Sequence, residues 1–244
     1  MTPASPAGTV PLPSGIYAAA RAAGLTLSAS LLAAPSHSRV EAARAAWKGG
    51  AWAHADVIDG RFGAREALGI RDIRSLTAHG GGPVDVHLMV DDPFGWCERM
   101  PHVQRITVQL HADLSIGEVV AAARERAAEF WWAIDAGYAT GDALTAALTA
   151  AGPADGILVM LTPPGRAGAE LDPSRLDDVR RARAHHPLVG VDGGVTEPAL
   201  ASIRDAGAGY VVCGRALFDP PSHPHPQQQQ QQQQPKQALT RRTR

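Results

Sequence analysis

The stretch AWAHADVI, at residues 51–58, is short, largely apolar and followed directly by Asp59 and Gly60. A run of this length with such an ending is typical of a buried β-strand that leads into a turn. A second run of the same kind, PVDVHLMV at residues 83–90, follows after a spacer long enough to hold a helix. The two runs therefore predict neighbouring strands that are joined by a helical crossover.

Runs of this kind number eight along the chain. Amphipathic segments that predict helices lie between them. The predicted strands are LTLSASLL (25–32), AWAHADVI (51–58), PVDVHLMV (83–90), VQRITVQL (103–110), FWWAID (130–135), GILVMLT (156–162), LVGVD (188–192) and GYVVCG (209–214). The predicted helices are 36–47, 114–127, 141–151, 172–185 and 196–206.

Repeated alternation of strand and helix predicts parallel strands with right-handed crossovers. We therefore expect an α/β fold, a single-domain (β/α)8 or TIM barrel, over residues 15–218. A doubly wound open sheet is the main alternative. No GxGxxG motif follows the first strand, which argues against a dinucleotide site but does not exclude the open sheet.

Composition limits the classes of partner. Of the 244 residues 45% are hydrophobic, and the formal net charge is −1, so we expect one core and no nucleic-acid or membrane partner. The first residues lack the charged segment of a secretory signal, so we expect a cytoplasmic protein. Cys97 and Cys213 are far apart and lack metal-binding spacing, so we expect two reduced thiols.

The two ends differ in composition from the predicted barrel. We expect residues 1–14 to be flexible and residues 219–244 to form a disordered tail, in which eight glutamines at 227–234 follow DPPSHPHP. Such a tail cannot supply a packed core. His223 and His225 could bind a metal weakly, although a solvated tail is the simpler interpretation.

Polar residues at the carboxyl ends of the predicted strands are the candidates for chemistry, because catalytic groups of a barrel lie there. His54 and Asp56 are two residues apart on one strand, so their side chains share a face. Charges inside a barrel must be paired or bound to a metal. The candidates are Ser30, His54, Asp56, His87, Asp135 and Asp192.

Two imidazoles and two carboxylates suit a first-row divalent ion such as zinc, iron, manganese or cobalt. This donor set differs from a structural zinc site, which favours sulfur ligands, and vacant coordination positions would leave room for a substrate. The alternative is a set of hydrogen-bonded groups that line the barrel without a metal.

Six motifs, in order and spacing, resemble the ribulose-phosphate 3-epimerase family over most of residues 25–218. The HxDxxDG, HLMVxDP and VDGGV blocks together make the resemblance specific. The motifs are LSASLLA (27–33), HADVIDG (54–60), VDVHLMVDDP (84–93), LVMLTPPG (158–165), VDGGV (191–195) and VVCGRALF (211–218).

The resemblance implies a (β/α)8 barrel that interconverts ribulose 5-phosphate and xylulose 5-phosphate, with a divalent metal ion (Zn, Fe, Mn or Co) and association into homo-oligomers. It implies His54, Asp56, His87 and Asp192 as the metal ligands. Asp56 and Asp192 would also be the two acid/base groups that act on either side of an enediolate. The implied sugar-phosphate-binding residues are Ser30, His87, Met89, Met160, Gly165, Gly193, Gly194, Gly214 and Arg215.

The sequence departs from the family pattern around the predicted substrate. PPGRAGA at 163–169 stands where the family has NPGFGGQ, and Gly214–Arg215 stands where it has GlySer. Glycine amides, with Arg215 or Arg166, could still bind a phosphate. Further replacements are FGAR (62–65) for FVPN, Gln109 and His111 for a histidine and a glutamate, DAG (135–137) for AsnPro, and Ile58 for a pocket methionine.

The metal and proton-transfer positions thus match the family, while the surrounding shell is altered. We predict an isomerase, a carbohydrate epimerase. One alternative is a specialised epimerase or isomerase that acts on another or an unphosphorylated sugar, as the altered loops indicate. A catalytically silent barrel with a binding role is less favoured, because loss of activity usually affects the chemistry first.

Overall fold

The computed structural model describes residues 14–62, 68–164 and 169–218. Within these ranges eight parallel strands pair in chain order and close into a barrel. The strands are β1 (Thr26–Ser30), β2 (Trp52–Ile58), β3 (Val84–Met89), β4 (Val103–Gln109), β5 (Ala127–Ile134), β6 (Gly156–Met160), β7 (Val189–Asp192) and β8 (Tyr210–Cys213).

Closure of the barrel is visible at β1, which pairs with β2 on one side and with β8 on the other. Ser28 lies opposite Trp52 in the first pairing and opposite Val212 in the second. An open sheet would have two edge strands, each paired on one side only. The predicted (β/α)8 barrel and its eight strands are therefore confirmed, and the open sheet is excluded.

The connections between the strands carry the helices. The helices in the described ranges are α1 (Ser14–Ala22), α2 (Arg39–Lys48), α3 (Ile70–Ala78), α4 (Pro93–Arg99), α5 (Ile116–Arg124), α6 (Gly141–Ala151), α7 (Arg175–His185), α8 (Leu200–Asp205) and α9 (Arg215–Phe218). Short 3-10 turns, at Ser36–Ser38 and Glu197–Ala199, precede α2 and α8.

The five predicted helices correspond to α2, α5, α6, α7 and α8, while α1, α3, α4 and α9 were not predicted. The signal for α4 was local: Asp92 caps it by accepting a hydrogen bond from Gly95 N at 2.9 Å, and Pro93 follows. Helix α5 ends before the predicted residue 127, because Ala127 pairs with Val103 and already belongs to β5.

The core has two parts, separated by the strands. One lies between the barrel and its helices, and its largest fully buried side chains include Trp132, Phe130 and Leu88. The other lies inside the barrel and contains Trp131, Leu158, Met160, Tyr210 and Val212, with Ala133. Successive side chains along each strand point alternately to these two parts. The polar groups inside the barrel therefore share a strand face with the inner part of the core.

The remaining expectations concern the two ends of the chain, membrane spans and the cysteines. The flexible 1–14 and the disordered 219–244 lie outside the described residues, apart from Ser14, which begins α1. No helix in the described ranges is long and apolar enough to cross a membrane. Cys97 and Cys213 are both free thiols and are buried.

Candidate active site

The four predicted metal ligands come together inside the barrel, at the carboxyl ends of three strands. His54 and Asp56 lie on β2, His87 lies on β3, and Asp192 ends β7. Asp56 and His87 are opposite each other in the pairing of β2 with β3. One ligand atom from each side chain lies within 4.8 Å of all the others.

The distances between the ligand atoms fit a single ion. Nε2 of His54 lies 3.1 Å from Oδ1 of Asp56 and 3.9 Å from Oδ2 of Asp192. Nδ1 of His87 lies 3.6 Å and 3.7 Å from the same two oxygens. Four ligands at about 2.1 Å around one tetrahedral ion would stand about 3.4 Å apart. The group therefore has the dimensions of a metal site.

His87 supplies an independent observation that favours a cation. Its side chain is fully buried, and its Nδ1 has no hydrogen-bond partner among the described residues. The other ring nitrogen, Nε2, lies 3.2 Å from the side-chain oxygen of Gln109. A buried nitrogen without a partner is costly, and a divalent ion between the imidazoles and carboxylates would remove that cost.

His54 is oriented by a second carboxylate below the ligands. Its Nδ1 lies 3.1 Å from Oδ2 of Asp85, which is fully buried on β3. Asp85 also accepts hydrogen bonds from Thr107 at 3.0 Å and Tyr210 at 2.8 Å. A histidine that donates one N–H to a carboxylate presents its other nitrogen, here Nε2, to a metal. The arrangement therefore fixes the ring and, with a metal on Nε2, would keep the proton on Nδ1.

The charged groups shift one another's pKa values. Burial opposes protonation of His54, but Asp56 and Asp85 outweigh it and raise the pKa of His54 well above its ordinary value. For Asp56, burial is likewise outweighed by His54 and His87, which hold its pKa well below the ordinary value. Burial lowers the pKa of His87, but Asp192 and Asp56 raise it overall. Asp56 thus faces groups that favour its charged form.

A single buried arginine lies at the floor of this network. Arg105, on β4, places its Nη1 3.6 Å from Oδ2 of Asp85 and donates to Glu129 at 2.8 Å. Its guanidinium lies between aromatic rings, 3.9 Å from the ring centre of Trp131 and 4.4 Å from that of Tyr210. Asp85 therefore has a cation on one side and His54 on the other.

Above the ligands, a cavity of about 520 Å³ opens at the carboxyl ends of the strands. Asp56 and Asp192 both border it, and Asp192 is the more exposed, with 15% of its side chain accessible against 5% for Asp56. Ser30 donates a 2.8 Å hydrogen bond to Oδ2 of Asp56, the oxygen not directed at His54. The two carboxylates are thus the groups that a bound molecule would meet.

Most of the predicted substrate-binding residues border this cavity. Gly165 lies outside the described residues, as does Arg166. His87 is fully buried and is not among the lining residues, so its predicted contact with substrate stays a prediction. The predicted residues that line the cavity are Ser30, Met89, Met160, Gly193, Gly194, Gly214 and Arg215.

Two glycines of the lining are required by the backbone. Gly193 and Gly194 have φ of +104° and +63°. A Cβ on Gly193 would lie 2.2 Å from Oγ1 of Thr162, and one on Gly194 would lie 2.3 Å from the backbone nitrogen of Leu171. Only glycine fits such a close approach with positive φ. Residues 193–194 therefore bring bare backbone to the edge of the cavity.

Several residues of the site were not singled out by the sequence analysis. Thr162 and Glu170 line the cavity, and Asp85, Arg105 and Tyr210 support the ligands from below. Period-two alternation was the signal that could have found three of them. Thr162 shares a face with Met160, Asp85 with His87, and Arg105 with Gln109.

Comparisons with known proteins agree with the geometry. The model of the ribulose-phosphate 3 epimerase family matches residues 26–218. Ribulose-phosphate 3-epimerase of Mycobacterium bovis is 31% identical over 203 residues, covering 80% of this chain and 86% of that protein. The cytoplasmic isoform from Oryza sativa subsp. japonica is 26% identical over 205 residues, covering 82% and 90%.

Solved structures support the fold alone. The tryptophan synthase A-subunit of Pyrococcus furiosus superposes with a TM-score of 0.56 at 15% identity, covering 80% of this chain and 89% of that one. The family match and the sequence relatives carry the functional class, and they confirm the predicted isomerase. The chain belongs to the ribulose-phosphate 3-epimerase family, whose members are epimerases that act on carbohydrates.

Proposed function

We propose that this protein is a metal-dependent epimerase that inverts C3 of a ketose phosphate, interconverting ribulose 5-phosphate and xylulose 5-phosphate. The observation that carries the proposal is the convergence of two imidazoles and two carboxylates beneath a cavity that both carboxylates border. The family match over residues 26–218 supplies the reaction class.

His54, Asp56, His87 and Asp192 would hold the metal ion. The unpartnered Nδ1 of His87 and the spacing of the four ligand atoms support this assignment. A divalent ion held by these residues would supply Lewis acidity, which would stabilise the negative charge that develops when a proton is removed next to a ketone. The donor set is compatible with zinc, iron, manganese or cobalt.

Asp56 and Asp192 would move the protons. Inversion at a carbon next to a ketone needs a base on one face of the planar enediolate and an acid on the opposite face. The two residues come from β2 and β7, which are separated by β1 and β8 in the closed barrel, and so approach the cavity from different directions. One of the two groups, ionised at the outset, takes the C3 proton, while the other, protonated at the outset, gives its proton to the opposite face of C3. The reverse reaction restores both protonation states.

The cavity would bind the sugar through a mixed surface. Ser30 holds the outer oxygen of Asp56, and Met89, Met160 and Ile58 offer apolar contacts near the ligands. Backbone amides at Gly193, Gly194 and Gly214, with the side chain of Arg215, would bind the phosphate at the far side. Arg215 is exposed and borders the cavity, which supports this role.

A specialised substrate remains the second candidate, and Glu170 is the observation that favours it. Glu170 is exposed and lines the cavity, and its backbone lies against Gly194. A negative charge in this lining would oppose a phosphate. Comparison of turnover on ribulose 5-phosphate with turnover on unphosphorylated ribulose separates the two candidates. A strong preference for the phosphorylated ketose would eliminate the specialised one.

Deuterium exchange tests the proposal directly. The metal-loaded protein is incubated with ribulose 5-phosphate in deuterated water, and NMR follows deuterium at C3 and formation of xylulose 5-phosphate. The wild-type protein should give both products, and Asp192→Asn should slow them by about 100-fold or more. Asp177→Asn, a change of the same kind on the exposed face of α7, should leave the rate unchanged.

The outcomes separate the parts of the proposal. Absence of both exchange and xylulose 5-phosphate in the wild-type protein would overturn the ribulose 5-phosphate assignment. Full activity in Asp192→Asn would overturn its acid/base role. His87→Ala should lose the metal first and the activity with it.

A further inference from the structure

Gln109 and Asp135 form a hydrogen-bonded pair behind His87. Gln109 ends β4 and Asp135 follows β5, and both side chains are buried, with 0% and 8% exposure. The side-chain oxygen of Gln109 lies 3.2 Å from Nε2 of His87, and its Nε2 donates to Oδ2 of Asp135 at 2.7 Å. The three residues form one chain of hydrogen bonds from the metal centre to the barrel wall.

Asp135 decides which way the amide of Gln109 points. A carboxylate only accepts hydrogen bonds, so the NH2 group of Gln109 must face Asp135 and its oxygen must face His87. Asp135 is itself fixed, because its Oδ1 accepts backbone hydrogen bonds from Gly137 at 2.6 Å and Tyr138 at 3.2 Å. The backbone N–H groups thus fix Asp135, and Asp135 fixes the orientation of the Gln109 amide.

The orientation of the Gln109 amide also determines which nitrogen of His87 carries the proton. An amide oxygen is an acceptor, so the Nε2 of His87 must carry a proton and donate it. In the neutral ring Nδ1 then carries the lone pair, and Nδ1 is the atom that faces Asp56 and Asp192 at 3.6 Å and 3.7 Å. A metal ligand needs this unprotonated nitrogen.

We propose that Gln109 and Asp135 are positioning residues, which hold His87 in the tautomer that binds metal through Nδ1. Among the described residues, neither Gln109 nor Asp135 forms a hydrogen bond with the side chains of the other three proposed ligands, so their effect passes through His87. The inference rests on the proposed metal centre, and it does not depend on which sugar is bound.

The isosteric change Asp135→Asn is the decisive perturbation. The backbone N–H groups of Gly137 and Tyr138 would keep the oxygen of the new amide, so its NH2 would face the NH2 of Gln109. Two donors cannot bond to each other, and Gln109 would therefore turn over. Its NH2 would then face Nε2 of His87, which favours the wrong tautomer.

A second change should restore the direction. In Asp135→Asn/Gln109→Glu the new carboxylate can accept from the amide at position 135 and from Nε2 of His87. In Gln109→Glu alone, two carboxylates would meet across the 2.7 Å contact. Asp155→Asn is the matched control, since Asp155 also accepts a backbone hydrogen bond, from Phe130, but lies directly before the start of β6, at the opposite end of the strand from the ligands.

Two measurements test the pair. Zinc titration by calorimetry should show binding about 10- to 100-fold weaker in Asp135→Asn than in wild type, restored in the double variant and unchanged in Asp155→Asn. Nitrogen-15 NMR of the metal-free protein, at a pH above the titration of His87, should show the proton on Nε2 in wild type and on Nδ1 in Asp135→Asn.

The outcomes distinguish this inference from the proposed function. Tight zinc binding in wild type with unchanged affinity in Asp135→Asn would overturn the positioning role and leave the metal centre standing. A wild-type His87 protonated on Nδ1 would overturn it as well. No zinc binding by the wild-type protein would overturn the metal centre and this role together, whereas failure on ribulose 5-phosphate alone would affect neither.

Discussion

Replacement of Arg105 by methionine is the sharpest test of how the barrel interior is held together. Arg105 is 4% exposed, and the substitution keeps an apolar stem of similar length while it removes the positive charge. Asp85 would then lose the cation 3.6 Å from its Oδ2, and three aromatic rings would lose their contact with the guanidinium.

The expected magnitude follows from these contacts. Removal of one partner of a buried ion pair costs about 3–5 kcal/mol. Asp85 keeps hydrogen bonds from Thr107 and Tyr210, which limits that cost. Each lost cation–π contact adds about 0.5–2 kcal/mol, although such terms do not simply add. We expect Arg105→Met to lower the free energy of unfolding by about 3–5 kcal/mol, which corresponds to a fall in Tm of about 6–20 °C.

The acid side of the stability curve should move too. Burial tends to raise the pKa of Asp85, but His54 and Arg105 among others lower it to about 2. A depressed pKa contributes stability above the unfolded pKa and loses it as pH falls through the folded pKa. Without Arg105 the folded pKa of Asp85 rises, so the loss of stability on acidification should begin at a higher pH.

Urea unfolding followed by circular dichroism, with a chelator present to remove metal linkage, measures both effects. Arg181→Met is the matched control, because Arg181 pairs with Asp142 on the exposed surface. Surface pairs contribute about 1 kcal/mol or less. An Arg105→Met variant as stable as Arg181→Met would refute the role assigned to the buried arginine.

Three further predictions concern the metal centre and the thiols. Asp85→Asn should weaken zinc binding by about 10- to 100-fold, because His54 loses the carboxylate that orients it. Unchanged zinc affinity in calorimetry would contradict the orienting role of Asp85. Zinc affinity should rise with pH through the ordinary histidine range and above it, since the pKa of both imidazoles lies above its ordinary value and protons compete with the metal. A flat profile would oppose this prediction. Burial raises the pKa of both Cys97 and Cys213 to about 12. Neither thiol should therefore react with iodoacetamide in the native protein, and both should react in urea. Alkylation of the native protein, detected by mass spectrometry, would refute the burial of the modified thiol.

The strands and the six candidate polar residues were predictable from the sequence for a common physical reason, whereas the choice of four proposed metal ligands among them came from the family resemblance. A buried strand needs an apolar run, and a polar residue at its carboxyl end stands out against that run. His54 and Asp56 also share a face by alternation alone, and the structure places both inside the barrel. Local pattern therefore carried enough information for these features.

Alternation also places Asp85 and Arg105 inside the barrel, but it does not show which side chains they contact. Asp85 and Arg105 belong to neighbouring strands, and their ion pair depends on the register that sets Asp85 opposite Arg105. Tyr210 reaches Asp85 across 125 residues of sequence. Contacts of this range follow from closure of the barrel, which a local pattern does not encode. The short helices α4 and α9, with seven and four residues, are too brief for a clear period.

Anomalous diffraction from crystals soaked in zinc tests the metal centre most directly. One strong peak is expected inside the barrel, at about 2.0–2.2 Å from a nitrogen of His54 and of His87 and an oxygen of Asp56 and of Asp192. The nitrogen of His87 should be Nδ1, since that atom faces the two carboxylates. Crystals of His87→Ala should lose the peak. A wild-type barrel without zinc between these four side chains, at saturating metal, would contradict the proposed centre.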